Sequence, residues 1–274
     1  MYTRAYVEIT NICNMNCSFC HGHSRGPRQM TEAEYARVLQ QLCGKTQYIY
    51  HHLMGEPLVH PLLPRFIQMA AAAGFHPMLT TNGTLLDRWG DPLLIPELHK
   101  VNISLHSFEK EPQEHSRYIR KVADFADKAN QLGIIISLRL WNNGFDAGRN
   151  GTALALLQEM LTGQWEENTR GFRIRDRLFL EWGDRFSWPD QNAPDNGDRV
   201  FCHGLGDHFG ILCDGTVVPC CLDSDGVIAL GNVFREALSD ILASPRAKAI
   251  AEGFRQRKAV EDLCRRCGYA QKFK

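Results

Sequence analysis

Apolar positions along this chain switch repeatedly between two periods. Runs of period two, or short runs that are almost wholly apolar, take turns with longer runs of period 3.6 as far as about residue 183. YVEIT (6–10) predicts a first strand, and TEAEYARVLQQLC (31–43) a helix with Thr31 and Glu34 placed as a capping box. YIYHHL (48–53) predicts strand two, and LLPRFIQMAAAAG (62–74) a helix closed by Gly74. HPMLTTN (76–82) predicts strand three, 84–98 a Pro-interrupted helix or loop, and KVNISLHS (100–107) strand four. A helix over 116–132, a strand IIISLRLW (134–141), a helix TALALLQEMLT (152–162) and a strand RLFLEW (177–182) complete the series. Six βα repeats predict an α/β fold with a parallel sheet, a partial (β/α)6 TIM-like barrel whose strand ends and loops hold the chemistry.

The pattern changes after that. DRFSWPDQNAPDNGDRV (184–200) is rich in Pro, Asp, Asn and Gly and reads as a linker or lid. HFGILCDGTVVPCC (208–221) reads as a hairpin turning at Asp214-Gly215, followed by a helix at about 236–258 and a closing CRRC (264–267). The expected organisation is a barrel over 1–184, a linker or lid over 185–200 and a small C-terminal domain over 201–274, a hairpin plus helix.

Composition narrows the class. The chain has 274 residues, 44% of them apolar, enough for a packed core. Basic and acidic residues balance at 31 each, so nothing invites a polyanion, and a nucleic-acid partner is disfavoured. No apolar run approaches the ~18 residues of a membrane span, and the N-terminus has no signal-peptide core. Ten cysteines without a secretion signal argue for metal or redox chemistry in a reducing cytoplasm.

The cysteines gather at the two ends of the chain. Cys43 is the exception and is expected on an apolar helix face, in the core. Cys13, Cys17 and Cys20 form a C-x3-C-x2-C run on the loop after the first strand. Three thiolates can hold three corners of an iron–sulfur cluster and leave one iron open. The same thiols also suit a structural zinc with His21 or His23 as fourth ligand.

This run, with Phe19 before the third cysteine, resembles the signature of the radical S-adenosylmethionine (SAM) superfamily. Gly55-Glu56-Pro57 after strand two and Thr80-Thr81-Asn82-Gly83-Thr84 at the end of strand three resemble further marks of that family. The last 70 or so residues resemble its twitch domain, a shortened SPASM extension. The resemblance implies a 4Fe–4S cluster on Cys13, Cys17 and Cys20. SAM would bind the open iron and be cleaved to a 5′-deoxyadenosyl radical that takes a hydrogen atom from substrate. It also implies a flavodoxin- or ferredoxin-type reductant.

The other residues fit that reading. The turn at Gly55, Glu56 and Pro57 offers backbone carbonyls and one carboxylate for the SAM ammonium. Arg139 stands in an otherwise apolar strand, where an unpaired guanidinium is costly. Ser104 and Arg139 match the strand-four serine and strand-five arginine that contact SAM in twitch and SPASM relatives. Asn82 is a candidate ribose or substrate contact, or simply part of an Asn-Gly turn.

At the other end, Gly215-x4-Cys220 and Cys264-x2-Cys267 match SPASM and twitch elements, but the chain ends without the further C-x5-C-x3-C of a full SPASM domain. One auxiliary 4Fe–4S cluster is therefore expected on Cys202, Cys220, Cys264 and Cys267, with zinc on the same thiolates as the rival. Cys221 could exchange roles with Cys220, since strand neighbours face opposite ways, and Cys213 is expected to be packed. A fully ligated second cluster favours electron transfer, and so a two-electron oxidation of the substrate by dehydrogenation or oxidative bond formation. His106, Glu181 and Asp184 are candidate bases. One of His51 and His52 should face the barrel interior and the other the helices.

The substrate reads as a small molecule or a peptide. Peptide epimerisation or crosslinking would need a separate leader-binding protein, because strand one starts near residue 6 and leaves no room for such a domain. A two-cluster electron carrier and a zinc-stabilised binding protein are the non-enzymatic alternatives.

Overall fold

A computed structural model describes residues 1–272. The first half alternates strand and helix as the periodicity predicts: β1 (Arg4–Val7), α1 (Glu32–Leu42), β2 (Tyr48–Tyr50), α2 (Leu63–Ala72), β3 (His76–Thr81), α3 (Leu86–Leu93), β4 (Lys100–Ser104), α4 (Pro112–Gln131), β5 (Ile135–Leu140) and α5 (Arg149–Met160). Three strands follow, β6 (Glu166–Asn168), β7 (Gly171–Arg175) and β8 (Leu178–Trp182). The C-terminal part holds β9 (His208–Ile211), β10 (Thr216–Val218), β11 (Gly231–Asn232), α6 (Leu238–Leu242), α7 (Pro245–Arg255), α8 (Asp262–Arg265) and α9 (Gly268–Gln271).

Local chemistry explains the helix starts. Thr31 caps α1 by accepting from the Glu34 amide at 3.2 Å, while the Glu34 carboxylate accepts from the Thr31 amide at 2.8 Å. Proline sits in the first turn of α2, α4 and α7, where its missing N–H costs nothing.

The strands form one sheet in the order β11-β10-β9-β1-β2-β3-β4-β5-β8-β7-β6. β1, β2, β3, β4, β5 and β8 run parallel and make the TIM-like partial barrel. Period-two alternation sorts their side chains. Ala5, Val7, Ile49, Leu79, Val101, Ile103, Ile136 and Leu138 are buried in the core with the helices. Arg4, Tyr6, Tyr50, Thr80, Ser104 and Arg139, on the other parity, line an interior cavity.

Four features depart from the sequence reading. The stretch before strand six is not a plain helix-to-strand link: β6 and β7 form an antiparallel hairpin, and β7 pairs with β8. β6 is exposed and polar throughout, so it shows no strand period, and β7 (GFRIR) is short. The hairpin turning at Asp214-Gly215 is present as β9 and β10, but β9 also pairs in parallel with β1, so the C-terminal part extends the barrel sheet. The single helix over 236–258 is instead α6 and α7, broken at Ser244, which caps α7 by accepting from the Ala247 amide at 3.2 Å. Cys43 is exposed just past α1, not packed in the core. Among the described residues no helix is long and apolar enough to cross a membrane.

Candidate active site

The loop between β1 and α1 carries Cys13, Cys17 and Cys20. Asn11 closes it: its amide donates to Gly26 O at 2.8 Å and its carbonyl oxygen accepts from the Arg28 amide at 2.7 Å. The Cys20 amide donates to Cys17 O at 3.1 Å and closes a tight turn, and the three thiols are near enough to act on one another electrostatically. Cys13 and Cys20 are exposed and Cys17 is half-buried. Burial pushes the Cys17 thiol up to about 11, and its neighbours Cys13 and Cys20 add to the effect. Soft thiolates that repel one another are a donor set that an iron–sulfur centre would satisfy, because a bound cation reverses this penalty. The histidines nearby are otherwise engaged: His23 Nε2 donates to Asn11 O at 2.9 Å, and the His21 ring lies against Trp188.

The Gly55-Glu56-Pro57 turn packs directly under this loop. Gly55 has φ +75°, and a Cβ there would stand 2.5 Å from Thr10 O and 2.8 Å from the Asn11 carbonyl carbon. The next amide, Glu56 N, donates to Ile12 O at 2.9 Å. Pro57 begins a short 3-10 turn, Pro57–Val59. The Glu56 carboxylate, expected to meet the SAM ammonium, already has protein partners. It is buried and accepts from the Leu58 amide at 3.0 Å, the Thr81 hydroxyl at 2.6 Å and the Asn82 amide at 2.7 Å. What the turn has left for a ligand is backbone. Asn82 is likewise engaged: its Nδ2 donates to Asn14 Oδ1 at 3.0 Å and its Oδ1 accepts from Thr84, so it links the β3 turn to the cysteine loop.

Ser104 and Arg139 are direct partners across β4 and β5. Both line the interior cavity, of about 580 Å³. Arg139 Nη2 donates to Asn102 Oδ1 at 2.8 Å, its Nε lies 3.4 Å from Glu181 on β8, and its guanidinium stacks 4.5 Å from the Trp141 ring. The Nε contact is an ion pair rather than a well-formed hydrogen bond. Burial lowers the Arg139 pKa and Glu181 pulls it back up. Glu181, expected among the candidate bases, thus stands as a counter-ion to Arg139. His106 sits on a 3-10 turn, Leu105–Ser107, past the end of β4. Its Nδ1 is 3.1 Å from Arg139 O and 3.3 Å from the Trp141 amide, so the backbone engages that nitrogen in either tautomer. Asp184 lines the cavity and accepts from Asn143 Nδ2 at 3.0 Å. His52 lines the cavity, whereas buried His51 bonds Tyr35 of α1 at 2.6 Å.

Four histidines of this region are held neutral by burial: His51, His106 and His208 at about 4 and His52 at about 3. An unfolded imidazole takes up its proton near 6.5, so between that pH and about 4 the unfolded chain binds more protons. Stability therefore falls as pH falls through this window, by up to about 1.4 kcal/mol per pH unit for each histidine. Glu56 acts in the opposite sense: burial pushes it up to about 7, so its contribution is present below 4.5 and lost as pH rises through 7. Four groups outweigh one. The Tm of the metal-free chain is expected to be lower at pH 5 than at pH 6.5, and an equal or higher value contradicts this account.

The second cysteine group belongs to the same cavity as Phe19, Ser104 and Arg139. Cys202, Cys220, Cys221, Cys264 and Cys267 all line it. Burial, then mutual repulsion with Cys202 and the other thiols, raises Cys220 and Cys264 well above the ordinary thiol range. Burial raises the Cys221 thiol as well, and Tyr6 beside it works in the opposite direction. Strand alternation does not separate it from Cys220, because β10 ends at Val218 and both lie on the following turn. Cys213 is buried. Among the described residues no three His, Cys, Asp or Glu side chains converge on the position of a single metal ion. The thiols line a space instead.

Two family models match the chain. That of the radical SAM superfamily covers residues 7–141, and that of the SPASM iron–sulfur cluster-binding domain covers 202–268. The chain belongs to the radical SAM superfamily. Among curated radical SAM relatives, a GTP 3′,8-cyclase of Chlorobaculum tepidum is 32% identical over 38% of this chain and 33% of its own length. A probable GTP 3′,8-cyclase of Methanothermobacter marburgensis is 27% identical over 85% of this chain and 87% of its own. The chain thus spans about a third of the first relative. Among solved structures, BtrN in complex with AdoMet and 2-DOIA has TM-score 0.62 and 19% identity, covering 97% of this chain and 93% of that one. The enzyme anSMEcpe with AdoMet and the Kp18Cys peptide has TM-score 0.62 and 14% identity, covering 98% and 87%. At these identities the likeness speaks for the fold. As a radical SAM protein with a C-terminal SPASM-type domain, this chain uses SAM and 4Fe–4S chemistry, with further iron–sulfur in the C-terminal domain.

Sequence reasoning missed several radical SAM site residues. Tyr6, Tyr50, Trp141 and His208 line the cavity. The inward parity of β1 and β2 could have found the two tyrosines. Nothing local could have paired Glu8 with Arg25, whose guanidinium reaches the Glu8 carboxylate at 2.6 and 2.7 Å.

Proposed function

We propose that this radical SAM protein catalyses a two-electron oxidation of an organic substrate, by dehydrogenation or oxidative bond formation. One observation carries this reading. A single cavity runs from Phe19, Ser104, His106 and Arg139, beside the first cysteine loop, to Cys202, Cys220, Cys264 and Cys267. A molecule bound there lies between the two cysteine groups.

The residue assignments belong to the same proposal. Cys13, Cys17 and Cys20 hold the SAM cluster, and Cys202, Cys220, Cys264 and Cys267 the auxiliary one. Clusters held by these two sets of thiolates would supply the electron for reductive cleavage of SAM and an acceptor for the electron the substrate gives up. Backbone of the Gly55-Glu56 turn accepts from the SAM ammonium, and Ser104 and Arg139 donate to its carboxylate. Arg139 has five N–H donors and commits one to Asn102, while its contact with Glu181 is an ion pair, which leaves donors for SAM. In the substrate, one C–H bond breaks homolytically and a second hydrogen leaves as a proton with the released electron. We assign that proton to Asp184, since Glu181 is committed to Arg139 and the His106 Nδ1 to backbone. The apolar and aromatic walls, among them Phe19, Tyr6, Trp141 and Trp188, exclude water from the radical.

Cavity charge bears on the substrate. Its three arginines each face a carboxylate: Arg4 with Asp207 at 2.9 Å, Arg139 with Glu181 at 3.4 Å, and Arg185 with Glu109 at 3.2 Å. A nucleoside triphosphate needs cations not already neutralised. This supports an uncharged or cationic small molecule, or a peptide side chain, over the nucleotide named for the curated relatives. Crosslinking or epimerisation of a peptide is the second reading, favoured by the SuiB structure bound to its precursor peptide SuiA, which shares this fold at TM-score 0.57. A flavodoxin- or ferredoxin-type donor in the cytoplasm suits ten free cysteines.

A Cys264→Ala/Cys267→Ala chain tests the oxidation. It is expected to retain iron at the first site and to release 5′-deoxyadenosine from SAM and dithionite, yet to form no oxidised product. Full-rate product formation would remove the C-terminal cysteines from the reaction, and colourless protein with zinc and no iron would sink the enzyme reading itself.

A further inference from the structure

Glu8, the residue that follows β1, is fully buried, and the reaction as described makes no use of it. Each of its oxygens accepts two bonds. Oε1 accepts from Arg25 Nη2 at 2.6 Å and the Met54 amide at 3.1 Å; Oε2 accepts from Arg25 Nη1 at 2.7 Å and the Cys213 amide at 3.0 Å. Arg25 is the far end of the cysteine loop. Its Nε donates onward to Ser224 O at 2.8 Å. One carboxylate therefore ties three pieces together: the cysteine loop, the turn that begins at Met54 beside Gly55, and the C-terminal segment at Cys213 and Ser224.

Neighbouring contacts run in the same direction. The Ser24 amide and hydroxyl both donate to Asp225 Oδ1, at 2.6 and 3.0 Å. Arg28 Nε donates to Cys213 O at 2.9 Å. The loop that carries Cys13, Cys17 and Cys20 is thus held along its far side by the C-terminal part. A buried ion pair adds little net stability over an apolar pair of the same size. What four donors on two oxygens do add is register, since each bond has its own direction.

We propose that Glu8 and Arg25 are positioning residues for the SAM site, through which the C-terminal domain sets the pose of the cysteine loop. The proposal rests on the superfamily assignment alone and is independent of the oxidation reading.

The test uses the full-length chain. Glu8→Gln keeps the shape and removes the charge, Arg25→Lys keeps the charge and loses the fork, and Asp225→Ala cuts the exposed outer contact. Before cluster reconstitution, mass spectrometry follows iodoacetamide labelling of Cys13, Cys17 and Cys20. After anaerobic reconstitution, KM for SAM and kcat for 5′-deoxyadenosine formation are measured with dithionite, with the EPR line shape of the reduced cluster with and without SAM. Supporting residues around metal sites are worth about 10–100-fold, so Glu8→Gln is expected to raise the KM for SAM by at least about 10-fold, with faster labelling and an altered SAM-bound EPR signal. Arg25→Lys should fall between Glu8→Gln and the parent, and Asp225→Ala should shift the same readouts less. Wild-type labelling, KM and EPR in Glu8→Gln overturn the proposal. Should Glu8→Gln not fold, unchanged values in both Arg25→Lys and Asp225→Ala overturn it equally. Because 5′-deoxyadenosine release needs no substrate oxidation, loss of the oxidation reading would leave these measurements intact.

Discussion

A Gly55→Ala chain is expected to lose SAM cleavage by about 100-fold or more and to melt on the order of 5–10 °C lower. Two penalties meet at this position. The φ of +75° is the left-handed region, which costs a non-glycine residue about 1–2 kcal/mol. The new methyl would also stand 2.5 Å from Thr10 O, 2.8 Å from Asn11 C and 2.9 Å from Asn11 Cα. All three are backbone atoms, so no side chain can rotate away. Either the turn shifts or the strand leading into Cys13 does, and both stretch the 2.9 Å bond from Glu56 N to Ile12 O. A displacement of about 1 Å at a reacting centre is enough for the rate loss. Parallel measurement of Tm and of 5′-deoxyadenosine formation checks it. A Gly55→Ala chain with wild-type values in both would show that the turn and the loop are not in register with the reaction.

Arg139→Met is the second large effect, and it should separate binding from folding. Loss of a charge-assisted donor to the SAM carboxylate is expected to raise the KM for SAM by about 10–100-fold, which corresponds to about 1.5–3 kcal/mol. The fold pays separately, because Asn102 and the half-buried Glu181 lose their partner. A Glu181→Gln chain distinguishes the two. It keeps the guanidinium and its Asn102 bond, so the KM for SAM should stay within about 3-fold of wild type while stability falls modestly. If Glu181→Gln raised the KM as much as Arg139→Met, Glu181 itself would be the group that meets the ligand.

How much of this was legible beforehand depended on the range of the interaction. The barrel was readable because each βα unit announces itself locally, through alternation in the strands and capping at Thr31. The β6–β7 hairpin was not readable, because β6 is polar at every position, β7 spans five residues, and pairing with β8 holds the hairpin in the sheet. The 236–258 helix was overextended because its apolar period continues across Ser244, where the cap stops it. Cys43 was misplaced for a boundary reason: α1 ends at Leu42, and one residue beyond a helix the periodic face no longer applies. Among the site residues, spacing brought out the cysteines, and Gly55 by its place in the turn. Their neighbours were harder. Glu56, Asn82 and Glu181 were recognisable as polar groups in telling places, but not that Thr81, Asn14 and Arg139 already engage them.

Residue identity and spacing by themselves determined the family, the parallel barrel and the two thiol sets, because those rest on local periodicity and on ligands close in the chain. Tertiary structure alone decided that β9 joins β1, that one cavity is lined both by Phe19 of the first cysteine loop and by the C-terminal cysteines, and that Glu8, Arg25 and Cys213 meet. The physical reason is that a buried charge or a sheet edge is satisfied by whatever the fold brings within about 3 Å, and sequence distance places no limit on that partner.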